Sequence, residues 1–382
     1  MKAIVKGFGK IIALFLALFT CFITAYSVCT DAHKSTVCAR AETQSEPKRV
    51  VGYLPNWSYK AYEDIDFSAL THINIAFCNL NSSGEFYSGI PDEDMYALVN
   101  KAHAHGVKIM AALGGGGYGD PYRALIAGTE KINLLNGKLE HFCEKYSLDG
   151  IDLDIELASS DSIWNYYGEW VSALRSICNR HGWILSTATA QWVAGTVTAE
   201  TFALFDFVSV MAYDNDGWNY NSHSSYDFSI ECLNYFNIQK EIPKENLVLG
   251  VPFYGRGYTS SGALDWNSYL SFKDLISADI ENYDRDEYNG IAYNGASTMQ
   301  KKCELAKEYG GIMIWEITLD AQGEYSLLDL IKQELIPAPK DELQQNDGVK
   351  KDEFLVYIII GVSAIAVIAL AVILIAKRIK KR

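Results

Sequence analysis

Short apolar runs alternating with amphipathic stretches restrict residues 49–336 of this chain to very few architectures. Val50-Val51-Gly52-Tyr53 opens the series. Further strand-like runs follow over 72–77, 108–113, 150–156, 184–189, 207–213, 247–253 and 311–315. Between them lie helical patterns over 94–105, 134–146, 163–179, 229–239, 298–309 and 326–334, read from apolar positions three and four apart. Eight strand–helix units in a stretch of this length predict an α/β fold, a (β/α)8 TIM barrel. In such barrels the chemistry gathers at the C-terminal ends of the strands.

The fourth run is unlike the others. Asp149-Gly-Ile-Asp152-Leu-Asp154-Ile-Glu156 sets acids into a sequence that otherwise reads as buried. Side chains alternate along a strand, so Asp152, Asp154 and Glu156 share one face, and Ile151, Leu153 and Ile155 take the other. The branched face is expected to pack on helices, which leaves three acids lining an interior surface where desolvation and mutual repulsion oppose ionisation. A solvated polar edge fits poorly with the apolar residues between them. An active site fits better, with Glu156 expected as the last residue of its strand.

Spacing limits the chemistry. Glycoside hydrolysis ordinarily uses two carboxylates on opposite sides of the sugar. Asp154 and Glu156 are two positions apart, about 6.5–7 Å along one strand, so both approach a substrate from one side. Either another strand supplies a second carboxylate, or the substrate carries its own nucleophile, as a 2-acetamido group does. Glu156 would then be the acid, and Asp154 would hold the acetamido N–H. Asp152 and Asp154 form a coupled pair expected to share a proton.

Asp149-Gly-x-Asp152-x-Asp154-x-Glu156 resembles the signature of glycoside hydrolase family 18, the chitinases and endo-β-N-acetylglucosaminidases. Leu113-Gly114-Gly115, Met211-Ala-Tyr213-Asp214, Gly250-Val-Pro-Phe-Tyr254-Gly-Arg256 and Gly310-Gly-Ile-Met-Ile-Trp315-Glu316 are similar to that family's motifs at strand ends three, six, seven and eight. The resemblance implies retaining, substrate-assisted hydrolysis of β-1,4 N-acetylglucosaminide bonds. Glu156, Asp154, Asp152 and Tyr213 would be catalytic. Asp214 would join Tyr213 at the acetamido group, and Trp315 would form the floor under the scissile sugar. Tyr53, Phe77, Gly115, Met211, Tyr254 and Arg256 complete the expected binding set, although Met211 also suits plain packing. Trp57, Trp192, Trp218 and Trp266 follow strand ends and offer faces for sugars. Ala112 departs from a common Ser, which implies that a hydrogen bond to the inner aspartates is absent or moved. Ile155 stands where many relatives carry Trp or Tyr. About 50 residues between Tyr258 and the last strand leave room for a reduced insertion and a more open cleft.

The chain's ends differ in kind. Lys2, Lys6 and Lys10 precede an apolar run and small residues up to Ala41, as in an export signal over 1–41. Residues 337–353 read as a polar stalk. Residues 354–376 carry no charge and match the ~30 Å hydrocarbon core, so a transmembrane helix is expected there, with the lipid bilayer as partner. The basic tail 377–382 would stay in the cytoplasm. This places the barrel outside the cell on a single-pass anchor. Without the signal and the tail, 23 basic and 46 acidic residues remain, about −23, a surface that repels nucleic acid and favours a neutral substrate. Five cysteines fall in the barrel region without Cys-x-x-Cys spacing, and seven histidines are scattered, so no metal or cofactor is expected. Two other functions fit the same residues: an endo-β-N-acetylglucosaminidase acting on N-glycans, and a sugar-binding lectin on the same barrel.

Overall fold

The computed structural model describes residues 48–216 and 222–336. The signal expected over 1–41, the expected stalk, transmembrane helix 354–376 and basic tail, and Trp218, lie outside the described residues. Among the described residues, no helix is long and apolar enough to cross a membrane.

Eight parallel strands close into a barrel. They are β1 (Arg49–Pro55), β2 (His72–Ala76), β3 (Lys108–Gly114), β4 (Gly150–Asp154), β5 (Ile184–Thr189), β6 (Phe207–Val210), β7 (Leu247–Pro252) and β8 (Gly311–Trp315). Each pairs with its sequence neighbour, and β1 closes the ring against β8 from Arg49↔Gly311 to Gly52↔Ile314. Helices cover the outside, among them Asp92–Ala104, Thr129–Tyr146, Trp164–His181, Ala296–Lys307 and Leu327–Leu335. Local chemistry sets their limits. Asp92, Glu93 and Asp94 oppose the N-terminal dipole of the first of these, and Gly182 ends the third in the left-handed region at φ 69.

Alternation along the strands produces two cores. Ile151, Leu153 and Ile155 point outward with Ile73, Ile75 and Leu249 into the layer between strands and helices. Val51, Tyr53, Met110, Ala112, Val248 and Met313 point inward and fill the barrel. The five cysteines are free and buried, as small apolar residues often are.

Several strands end earlier than their sequence pattern. β4 stops at Asp154, two residues short of Glu156, because its ladder ends at Gly114↔Asp154 and the Gly115 amide takes the Asp154 carbonyl at 2.7 Å. β6 stops at Val210 instead of Tyr213, since the Ser224 hydroxyl takes the Ala212 carbonyl. β2 and β7 stop one residue before Phe77 and Phe253. Between β7 and β8, four short antiparallel strands form a small sheet carried by Tyr254–Tyr258 and Leu264–Ser271. That is the reduced insertion the sequence leaves room for.

Candidate active site

β4 carries the inner acids on its inward face. Asp152 is wholly buried and Asp154 is 3% exposed. Asp152 accepts hydrogen bonds from the Tyr53 hydroxyl and from Ser186 Oγ, each at 2.5 Å. Burial nevertheless dominates and pushes its carboxyl up to about 6, against the pull of those donors. Ser186 thus supplies, from β5, the bond that Ala112 on β3 cannot make.

Asp154 lies two residues further up the strand, and its buried Oδ1 has no hydrogen-bond partner among the described residues. Burial first, then the charges of Glu156 and Asp152, hold its carboxyl well above the ordinary range. The Glu156 charge weighs more on Asp154 than that of Asp152, its expected partner, does. Glu156 stands past the strand end, partly open to the cleft. Burial, and then the Asp214 carboxylate, raise it to about 7. A carboxyl at that value holds a proton near neutrality and takes it back readily, as acid–base work requires.

The backbone of β3 shapes the site. Gly114 runs at φ 98, and a Cβ there would strike the Asp154 carbonyl; at Gly115, φ 89, it would enter the Phe77 ring. Glycine is therefore required at both. The Asn79 side chain bonds both the amide and the carbonyl of Gly114, at 2.8 and 2.9 Å. Phe77 stacks on Trp315 with centroids 5.8 Å apart, and Tyr53 meets Trp315 edge-on at 5.5 Å. Trp315 thus faces the cleft on an aromatic bed.

Beyond β6, Tyr213 faces the acids, and its phenol is held in the neutral form by burial and then by Asp154, Glu156 and Asp214. Asp214 adopts φ 55. Its Oδ1 lies 3.3 Å from both Arg256 Nε and His223 Nδ1. Despite burial, His223 and Arg256 together hold the Asp214 carboxyl below its ordinary value. Arg256 also packs on Trp266, 4.8 Å from its centroid, and on Tyr254 and Tyr269 at 5.1 Å each.

A cleft of about 630 Å³ opens over these groups, with Asp154, Glu156, Asp214, Tyr213, Met211, Trp315 and Phe77 in its walls. Trp57 and Trp266 stand on its rim, 67% and 63% exposed. Trp192 is also exposed but does not line this cleft. Four residues expected on the cleft surface sit behind it instead. Tyr53 is 1% exposed because it turns down the barrel to Asp152, and Tyr254 is 1% exposed beneath Tyr213 and Tyr269. Gly115 is covered by Phe77, and Arg256 backs Asp214. Met211 packs in the inner core and reaches the cleft only at its edge.

Sequence reasoning missed Ser186, Asn79 and His223. The small polar run Ser186-Thr-Ala-Thr189 alternates inward and carried a signal; Asn79, on the two-residue strand Asn79–Leu80, and His223, on a loop, carried none. Among the described residues, no group of three or more His, Cys, Asp or Glu is placed to hold a metal ion.

Comparison with known proteins matches residues 49–320 to the model of glycosyl hydrolases family 18. The solved structure of a chitinase from the chitin utilization locus of Flavobacterium johnsoniae is 31% identical, covers 76% of this chain and 94% of its own, and superposes with a TM-score of 0.68. Probable chitinase 2 of Drosophila melanogaster is 24% identical over 72% of each chain. Probable chitinase 10 of the same fly is 24% identical over 71% of this chain, which spans only 15% of that much longer protein.

Proposed function

The chain belongs to glycosyl hydrolase family 18 and is a glycoside hydrolase, and from that premise we propose that it cuts β-1,4 bonds after N-acetylglucosamine in chitin or its oligosaccharides, using the substrate's own acetamido group. The observation that carries this reading is the closeness of the acids: Asp154 ends β4, Glu156 stands two residues beyond it, and both line the cleft, near enough for the Glu156 charge to act on Asp154.

In the first step Glu156 gives its proton to the leaving glycosidic oxygen. The acetamido carbonyl oxygen bonds to the anomeric carbon as the glycosidic bond breaks, forming an oxazolinium ion. Asp154 accepts the acetamido N–H and opposes the new positive charge, with the Tyr213 hydroxyl beside it. Its unpartnered buried Oδ1 is a preorganised acceptor for that moment, when the stabilisation is worth most. Water then attacks the anomeric carbon as its bond to the acetamido oxygen breaks and the acetamide is restored, Glu156 takes the water's proton, and the configuration is retained. Trp315 on its aromatic bed supports the sugar in the cleft, and Trp57 and Trp266 offer stacking faces at the rim. Chitinases among the relatives and a neutral substrate for an acidic protein support the choice of polymer.

Asp214 is the other carboxylate in the cleft wall. Its Oδ1 is engaged by Arg256 and His223, so it suits electrostatic support of Glu156 better than attack on a sugar. We also place the barrel on the outer face of a membrane, tethered through 354–376; this rests on the sequence alone, and recovery of the full chain in a salt-washed soluble fraction would overturn it.

Glu156→Gln tests the assignment of the acid. It is expected to lower kcat on chitopentaose about 10²–10⁴-fold with KM within a few-fold of the parent. Full turnover in that variant would remove Glu156 from the mechanism.

A further inference from the structure

Behind Asp214 runs a chain of buried polar side chains that the chemistry above does not use. The backbone turns through the left-handed region at Asp214, and residues 223 and 224 brace that turn. Ser224 Oγ donates to the Ala212 carbonyl at 2.8 Å, and the Asn215 amide donates to the His223 carbonyl at 3.1 Å. His223 Nδ1 lies 3.3 Å from Asp214 Oδ1 and 3.4 Å from the Asp214 amide nitrogen; in the tautomer that carries its proton on Nδ1 the ring donates to the carboxylate, and the amide then has no acceptor in it. His223 and Ser224 are both wholly buried.

The brace is itself held from the barrel's outer layer. Lys302, wholly buried on helix Ala296–Lys307, donates to the Ser224 carbonyl, to Ser224 Oγ and to Asn294 Oδ1, each at 2.8 Å. Asn294 Nδ2 completes the triangle by donating to the Ser224 carbonyl at 2.8 Å. Three acceptors around one nitrogen require an ammonium, which has three donors and no lone pair to turn against them. Burial lowers Lys302 to about 7, so the charge is held at a cost that an apolar side chain of similar size would avoid. Packing alone therefore gives no reason for a lysine here. The polar triangle holds Ser224, whose chain neighbour His223 touches Asp214, and the Asp214 charge is the second influence raising Glu156.

We propose that His223, braced by Ser224, Asn294 and Lys302, is a positioning residue that fixes the orientation and negative charge of Asp214 and, through it, the protonation of Glu156. This rests on the reading of Glu156 as the acid. Asp214 is faced by His223, Arg256, Glu156 and the phenols of Tyr213, Tyr254, Tyr258 and Tyr269, and His223 by Asp214, Arg256, Lys302 and the Tyr254 ring. Burial lowers the His223 imidazole below its ordinary value, so its hold on Asp214 is the Nδ1 contact to Oδ1 and not a full positive charge; without that contact only Arg256 still engages Oδ1, and Asp214 takes up a proton more readily.

The test compares His223→Leu with His223→Asn, which keeps an amide near the place of Nδ1, in the full chain. His223→Leu is expected to lower kcat on chitopentaose about tenfold, to keep KM within about threefold, and to move the acid limb of kcat up by about one pH unit, the size of a lost charged hydrogen bond. His223→Asn is expected to recover most of that loss. Equal impairment of both variants with an unmoved acid limb means a merely structural role and overturns the proposal. The carboxyl ¹³C titration of Asp214, read without any turnover, must move up in His223→Leu; an unmoved midpoint overturns the proposal as well. Should His223→Leu fail to fold, Ser224→Ala replaces it: a raised acid limb and a raised Asp214 midpoint support the proposal, and unmoved values overturn it. A parent protein that does not cut chitopentaose would instead overturn the reading of Glu156, and the Asp214 titration would still decide this one.

Discussion

Glu156→Gln should stabilise the protein at alkaline pH while abolishing its turnover. The Glu156 carboxyl sits at about 7 in the folded chain, against an ordinary 4.5. A folded-state value above the unfolded one means that protonation favours folding. That contribution is complete below pH 4.5 and is lost as pH rises through 7. Some 2.5 pH units correspond to about 3 kcal/mol of stability forfeited by the parent at pH 8. Glutamine has no proton to lose, so the variant escapes the whole penalty. For a barrel of about 290 residues, the unfolding entropy is roughly 0.6 kcal/mol/K, which converts the gain to about 5 °C in Tm. Removing the Glu156 charge also relieves Asp154, for which that charge is the largest influence after burial, and this adds in the same direction. Calorimetry of both proteins at pH 4 and pH 8 reads the effect directly. The variant should melt with the parent at pH 4 and several degrees above it at pH 8. An equal difference at both pH values, or a less stable variant at pH 8, would refute a buried, proton-holding Glu156.

Two further substitutions probe the walls of the site. Ser186→Ala removes one of the two hydrogen bonds to the buried Asp152, worth about 1.5–3 kcal/mol to its charged form. The Asp152 titration should rise by about one to two units from its value near 6, and an unmoved carboxyl ¹³C midpoint contradicts the assignment. Gly115→Ala places a methyl inside the Phe77 ring at a positive φ. It should lower Tm by several degrees and raise KM by disturbing the bed of Trp315, so a variant matching the parent in both would count against that packing.

The barrel was legible because its cause is periodic. Alternation along β4 separates Ile151, Leu153 and Ile155 from Asp152 and Asp154 in the sequence and in the structure alike. Strand ends were less legible because they depend on partners elsewhere in the chain. Glu156 leaves the ladder because Gly115 caps the Asp154 carbonyl, and Tyr213 leaves it because Ser224 takes the Ala212 carbonyl. Residues that act through others were the least legible. Tyr53 and Tyr254 look like sugar contacts in a motif, yet each turns its ring away from the cleft to serve an aspartate or pack beneath a neighbour. His223 and Lys302 lie about 80 residues apart, and no local pattern joins them. Their connection exists only once helix Ala296–Lys307 docks against β7 and β8.

The substrate's own part in the chemistry is the central claim. Asp154 and Glu156 both line the cleft, and Asp214 is engaged by Arg256 and His223, which is why we propose that the attacking oxygen comes from the sugar. Full-length protein should cut chitopentaose and release products that first carry the β configuration, read by proton NMR, while leaving cellopentaose, the same backbone without acetamido groups, intact. Efficient cleavage of cellopentaose would contradict that claim and hand the nucleophile's role to a carboxylate of the protein.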